Sequence, residues 1–283
     1  MWHISIYCFI TTYNKSISLK GVSMDTLVRF NKKMGFAHLI QAIIMVFIAL
    51  FVIQDLTEFQ PEIIVYYQGL NENFELVTLS RVLFELPFSI ITTSFLFLSA
   101  IFHFVIVANQ KTYVKQIEKG YNVFRWYEYA LSSSILIVLL AVLFGVKDLQ
   151  TLSIIFISNA VMNLLGLEME RSNQGKEKKS FFPYILGWII GLAPWVVIFM
   201  YLGFTPGLDL VPWYAWASIG GYFLFFNSFA FNMLFQYLEK GPYKNYIFGE
   251  KVYIWLSLIA KSTIAWIVYT GALQTSDIIS NLF

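Results

Sequence analysis

Cysteine is nearly absent: the 283-residue chain has only Cys8. A single thiol excludes an internal disulfide and a thiolate metal cluster. Charge is also scarce, at 13% of residues, where a soluble globular domain carries about 25%. No GxGxxG loop, GxxxxGKS or GxxxxGKT loop, HExxH pair or GxSxG elbow occurs, so nothing in the sequence supports an enzyme. The first 23 residues hold no apolar run of signal-peptide length followed by a small-residue cleavage site. Repeats and low-complexity segments are missing, and a net charge of +2 gives no reason to invoke nucleic acid.

What is present is apolar length. Hydrophobic residues make up 58% of the chain, with 28 Phe, 17 Tyr and 8 Trp. Seven segments are long enough to cross a bilayer as helices: about Gly35–Ile53, Leu86–Val107, Val123–Val146, Leu152–Leu167, Tyr184–Leu202, Trp213–Leu234 and Val252–Leu273. The fourth is the shortest. Residues 1–23 are polar and read as an N-terminal extension, and 24–283 as one membrane domain.

The basic residues sort by side. Sixteen of nineteen fall at the N-terminal end or in the second, fourth and sixth connections, while Arg81 and Lys147 lie in the others. By the positive-inside rule the N-terminus is cytoplasmic and the C-terminus outside. The Lys111–Lys119 run reads as a solvated or headgroup-facing surface. The first loop, Gln54–Glu85, is acidic, with Asp55, Glu58, Glu62, Glu72, Glu75 and Glu85. Ile63–Tyr67 and Phe74–Thr78 flank Gly69, Asn71 and Asn73. That pattern suits a β-hairpin, with an irregular acidic loop as the alternative. A lone hairpin is marginal in water, so it would gain from lying on the bundle or on a second subunit.

The nineteenth basic residue, Lys261, sits mid-span in Val252–Gly271 between Leu258-Ile259-Ala260 and Ile264-Ala265-Trp266. A lysine at that depth costs roughly 2.5–3.5 kcal/mol on insertion scales, so it needs either a functional partner or a neighbouring carbonyl. Glu128 is the one acid read as lying inside a span; Glu168 and Glu170 read as the end of the fourth helix. Both helices run the same way, and helical side chains lean toward the N-terminus, which brings Lys261 down toward Glu128. Ser257 lies one turn before Lys261 on the same face, and Ser132 one turn after Glu128. A plain ion pair is a poor stabiliser in low dielectric. A desolvated lysine is suited to a Schiff base with an aldehyde, whose protonated form would require Glu128 ionised nearby. Arg125 reads as snorkelling to headgroups. Asn159 and Asn163 read as helix–helix hydrogen bonds, and Pro194 as a kink site in the fifth helix.

The residues resemble those of the heliorhodopsins. The matching pieces are Phe36-Ala37-His38-Leu39, Ile101-Phe102-His103-Phe104 and the run Asn122–Ser134. They continue as Pro194-Trp195, Leu224–Ala230, Asn245–Glu250 and Ser257–Trp266, so the resemblance spans roughly Thr26 to Leu273. It implies an all-α, seven-helix rhodopsin-like bundle of inverted topology with a β-hairpin in the first extracellular loop. It also implies all-trans retinal on Lys261 as a Schiff base, Glu128 as counterion and Ser257 as a Schiff-base neighbour. His38 and His103 would belong to a cytoplasmic-side polar cavity that accepts a proton. Trp126, Trp195, Phe226, Asn227 and Trp266 are candidates for the chromophore pocket, with plain packing as the alternative for Trp195 and Phe226. The family implies a homodimer in a lipid membrane, formed through the first extracellular loop and helices.

The function so implied is light sensing for an unidentified signalling partner. A light-gated proton or ion channel is the alternative, and a non-photic transporter or receptor a third. A second mid-span carboxylate, which a pump would use, is not evident in the sequence.

Overall fold

The computed structural model describes residues 2–52, 60–205 and 213–280, with side chains at 24–51, 60–205, 213 and 215–269. Ile53, Gln54, Asp55 and Glu58, named above, lie outside the described residues. The helices are α1 (Trp2–Phe47), α2 (Phe88–Ala108), α3 (Gln110–Glu118), α4 (Val123–Leu143), α5 (Leu149–Ser172), α6 (Phe182–Phe204), α7 (Trp213–Leu238) and α8 (Tyr246–Ser280). Strands β1 (Glu62–Leu70) and β2 (Leu76–Glu85) form one antiparallel hairpin. Among the described residues, seven stretches are long and apolar enough to span a membrane, the first being Met24–Phe51, which continues α1 through a π-helical turn at Ile48–Val52. The chain is thus an integral, multi-pass membrane protein.

The fourth expected span grows from Leu152–Leu167 to the 24 residues of α5. Asp148 starts it one turn early, its carboxylate accepting from Thr151 N at 2.8 Å. At the other end the helix carries Glu168 and Glu170 within its last turns. α4 begins at Asn122, whose side-chain oxygen caps Arg125 N at 3.1 Å, and gives way to a turn at Gly145, φ 88°. α6 continues through Pro194 to Phe204.

The Lys111–Lys119 run is helix α3. Tyr113 and Ile117, one turn apart, are buried against Met24, Leu27 and Ile254, while Lys111, Lys115 and Lys119 stay exposed. Burial holds the Tyr113 phenol well above its usual range.

The hairpin's turn is built on Asn71, whose side-chain oxygen accepts from Asn73 N and Glu75 N, both at 2.9 Å. Its base is fixed to the bundle. Ile63 is buried, Ile64 N donates to Lys147 O at 3.0 Å, and Gln150 donates to Tyr66 O at 2.8 Å. The rest projects Phe74, Leu76 and Phe84 outward, exposed.

Within the bundle α2 packs on α1, α4 and α8; α5 lies between α4 and α6; α7 pairs with α8. The large apolar core, with Phe95, Leu96, Ile137, Leu140, Ala265 and Val268, fills the hairpin side of the bundle. A smaller core gathers around α3 at the opposite end. The polar side chains described next lie between them.

Candidate functional site

Lys261 comes from the middle of α8 and is 4% exposed. Its ammonium pairs with the Glu128 carboxylate of α4 and donates to Ser99 Oγ of α2 at 2.8 Å. Ser99 Oγ lies 2.7 Å from Glu128 Oε1, closing a three-helix triangle. The Tyr129 ring centre lies 5.2 Å from the amine. The lysine at mid-span is therefore matched by a buried anion, which offsets the desolvation of both charges.

The hydroxyl beside Lys261 and Glu128 is Ser99, not the expected Ser257. Ser257 is buried one turn below, faces Tyr129, and borders a small polar cavity between Glu128 and Arg125. That cavity, about 30 Å³ open to water centres, is also bordered by Asn31, His103, Asn122 and Glu250. At roughly 10–15 Å³ per water it has room for about two. Ser132 is fully buried, and its hydroxyl makes no hydrogen bond among the described residues.

His38 and His103 stack with ring centres 5.6 Å apart. His103 Nδ1 lies 2.9 Å from Asn31 Oδ1, and Asn31 Nδ2 donates to Tyr113 OH at 3.2 Å. Among the described residues, neither ring nitrogen of His38 has a hydrogen-bond partner. The two imidazoles thus stand together on the α3 side of Glu128, and His103 is linked by hydrogen bonds toward α3.

Two expectations are corrected here. Arg125 does not snorkel to headgroups: it is 5% exposed and ion-paired with both Glu170 of α5 and Glu250 of α8. Its guanidinium also lies 4.0 Å from the Tyr253 ring centre and 4.8 Å from that of Trp126. Glu128 is accordingly not the sole acid within the helices, because Glu170 and Glu250 are buried at 1% and 0%. Glu170 accepts from Asn122 N at 3.0 Å, Trp126 Nε1 at 2.6 Å and Tyr246 OH at 3.0 Å. Asn122 Nδ2 donates to Glu250 at 3.0 Å. Three helices supply complementary charges where each sequence segment alone looked like a span end.

On the other flank of Lys261 lies a cavity of about 130 Å³ open to water centres. Trp126, Tyr129, Tyr184, Trp188, Tyr222, Phe225, Phe226 and Phe229 supply its aromatic walls, Met162 and Met233 further apolar surface. Of the five pocket candidates, Trp126 and Phe226 line it. Trp195 is buried just behind, its ring 5.8 Å from Phe226 and 5.5 Å from Tyr222. Asn227 is not at the wall; its amide bonds its own helix at Phe223 O, 2.7 Å away. Trp266 packs on Tyr269 outside the cavity. Asn159 and Asn163 do hydrogen-bond across helices, to Ser133 Oγ at 2.7 and 3.1 Å, yet both also face the cavity.

The sequence reading missed Ser99, Glu170, Glu250 and Asn31. Helical spacing held a signal for two of them. Glu250, Ile254, Ser257 and Lys261 recur at a single face of α8, and Ser99 lies one turn before His103.

The arrangement provides one primary amine in an aromatic cavity, a carboxylate to balance a positive charge there, and a cluster of buried ionisable side chains on the α3 side. No curated protein matches the chain significantly. A family model for heliorhodopsin matches residues 27–273. The match takes in every buried side chain of both polar clusters, and the chain belongs to the heliorhodopsin family of retinal-binding, light-responsive membrane proteins.

Proposed function

We propose that the protein is a light sensor in which Lys261 holds all-trans retinal, Glu128 is the counterion and the buried polar side chains beside them receive the proton. The carrying observation is the Lys261–Glu128–Ser99 cluster standing at the wall of the aromatic cavity. The residues fit the group: retinal is an apolar polyene with one aldehyde, and this site has one amine, one adjacent carboxylate and otherwise mainly aromatic walls. When bound, retinal supplies visible absorption and a light-driven change of shape. Trp126 and Phe226 line the space, Trp195 backs it, and Glu128 balances the charge at the amine. Ser99 orients that carboxylate, with Ser257 at the border of the polar cavity. His38 and His103, stacked beside Asn31, are the groups placed to take up a proton.

Sensing is favoured over pumping by how polarity is distributed, not by a shortage of carboxylates. Among the described residues, the ionisable side chains of α1, α2, α4, α5 and α8 that cluster around Lys261 lie on its α3 side, while the hairpin side is packed with Leu, Ile, Phe and Val. A proton released at Lys261 therefore finds this ionisable cluster on the α3 side. The sorted basic residues make that direction cytoplasmic, with the N-terminus inside. The exposed apolar surface of the hairpin, including Phe74 and Leu76, supports a homodimer formed there.

The test is a visible spectrum of purified protein given all-trans retinal, then hydroxylamine under light. A visible band that bleaches, and that Lys261→Ala abolishes, is expected. No band in the wild type would reject retinal binding. Voltage clamp separates the two photic readings: the sensor gives no steady photocurrent, and a current reversing near the proton equilibrium potential would establish a channel.

A further inference from the structure

Trp126 belongs to both halves of the site. One face of its indole forms part of the cavity wall, and its Nε1–H donates to Glu170 Oε2 at 2.6 Å. The ring is pinned. Gly166 of α5 lies flat against it, so that a Cβ there would overlap the indole carbons, and Tyr129 and Tyr253 meet it edge-on at 6.1 and 6.0 Å. A ring held on three sides cannot turn in place when the cavity changes shape. It moves with its hydrogen bond.

That bond ends on a hub. Glu170 also accepts from Tyr246 OH, and Tyr246 is the first residue of α8. The segment before it is the α7–α8 corner, where Glu239 and Gly241 have φ of 50° and 56° and Gly241–Lys244 forms a single 3-10 turn. Lys240 and Lys244 are exposed there. The corner thus meets solvent on one side and, through one phenol, the buried carboxylate on the other.

We infer that Trp126 is a positioning residue that couples the shape of the cavity to Glu170 and, through Tyr246, to the α7–α8 corner. The inference rests on the cavity being the retinal site, but the coupling is a property of these side chains and is measurable with the cavity empty of ligand. Displacing the indole lengthens a 2.6 Å bond to a carboxylate that shares Arg125 with Glu250. Tyr246 is then the donor whose position must adjust. The response would emerge at a basic, exposed corner, where a partner can read it.

The experiment places a nitroxide at Lys244→Cys in a Cys8→Ser background of the full chain, in lipid nanodiscs. Without retinal, Trp126→Phe keeps an aromatic wall but removes the N–H donor, and is expected to change label mobility at 244. Tyr246→Phe is expected to change it too, and the double variant by no more than the larger single effect. An unmoved label in Trp126→Phe, or additive changes in the double variant, would overturn the coupling. With retinal, light is expected to alter the label spectrum in wild type, and this change is expected to be lost in Tyr246→Phe, which leaves the cavity wall intact, while a visible band persists. A full light response in Tyr246→Phe would also overturn it. If Trp126→Phe does not fold, Tyr246→Phe decides by the same light response, lost or retained. A wild type with no visible band rejects retinal binding alone, and the ligand-free comparison still decides the coupling.

Discussion

At the scale of single residues, the site is governed by paired burial. Lys261 and Glu128 are each tolerable inside the bundle because the other is there, with Ser99 satisfying part of both. Removing one partner leaves an uncompensated charge, which costs about 3–5 kcal/mol in buried pairs. Glu128→Gln should therefore lower the thermal stability of the retinal-free protein by an amount of that order, read in a melting curve. With retinal, the same variant should shift the visible band to longer wavelength, since the counter-charge is lost. An unchanged spectrum would remove Glu128 from the counterion role. Ser99→Ala should move the band less than Glu128→Gln, because it removes a hydrogen bond and leaves the charge. The lone mid-span lysine and Glu128 are both legible in sequence, since each interrupts an apolar run. Ser99 is not, because a serine within a helix more often bonds its own backbone, as Ser133 and Ser134 do here and as Ser99 itself also does at Phe95 O, 2.9 Å away.

At the scale of elements, close approach of α4 to α5 depends on Gly166, which gives Trp126 its place. Gly166→Ala should overpack this contact and cost about 1–3 kcal/mol, and should also change the cavity, so that a lower melting temperature accompanies a displaced visible band. The start of α5 depends on Asp148, whose carboxylate caps Thr151 N and accepts from Tyr201 OH at 3.2 Å. Asp148→Ala should cost about 1 kcal/mol in the same melting assay, typical of a lost N-cap. Element ends were where the sequence was hardest to read. The fourth span looked short because Glu168, Glu170 and Arg171 resemble a solvated terminus. α5 nevertheless carries on, because Glu170 is neutralised by a side chain 45 positions earlier. The hairpin was easier, since its β-branched runs around Asn71 and Asn73 carry local turn chemistry.

At the scale of the whole molecule, the buried ionisable cluster and the large apolar core occupy opposite halves of the bundle. Polar side chains gather at the end from which α4 and α8 start, and the hairpin is fixed to the other end. The proposed cytoplasmic N-terminus predicts that a membrane-impermeant maleimide applied to intact cells fails to label Cys8; efficient labelling would reverse the orientation. The hairpin's exposed apolar surface makes a second prediction. Leu76→Asp with Phe84→Asp should convert the proposed dimer to a monomer in size-exclusion light scattering without displacing the visible band, because neither residue reaches the cavity.

Sequence alone determined the class of the molecule, since span length, apolar composition and the sorting of basic residues are properties of the chain read in one dimension. It also singled out Lys261 and Glu128, whose cost in an apolar run is visible without any neighbour. Tertiary structure decided what those residues meet. It seated Ser99 where Ser257 was expected, drew Arg125 inward to Glu170 and Glu250, and put Trp126 between the cavity and that cluster. The physical reason is that burying a charge becomes tolerable only through partners from other helices. The chain separations involved, 45 residues for Arg125 and Glu170 and 162 for Ser99 and Lys261, leave no trace in local pattern.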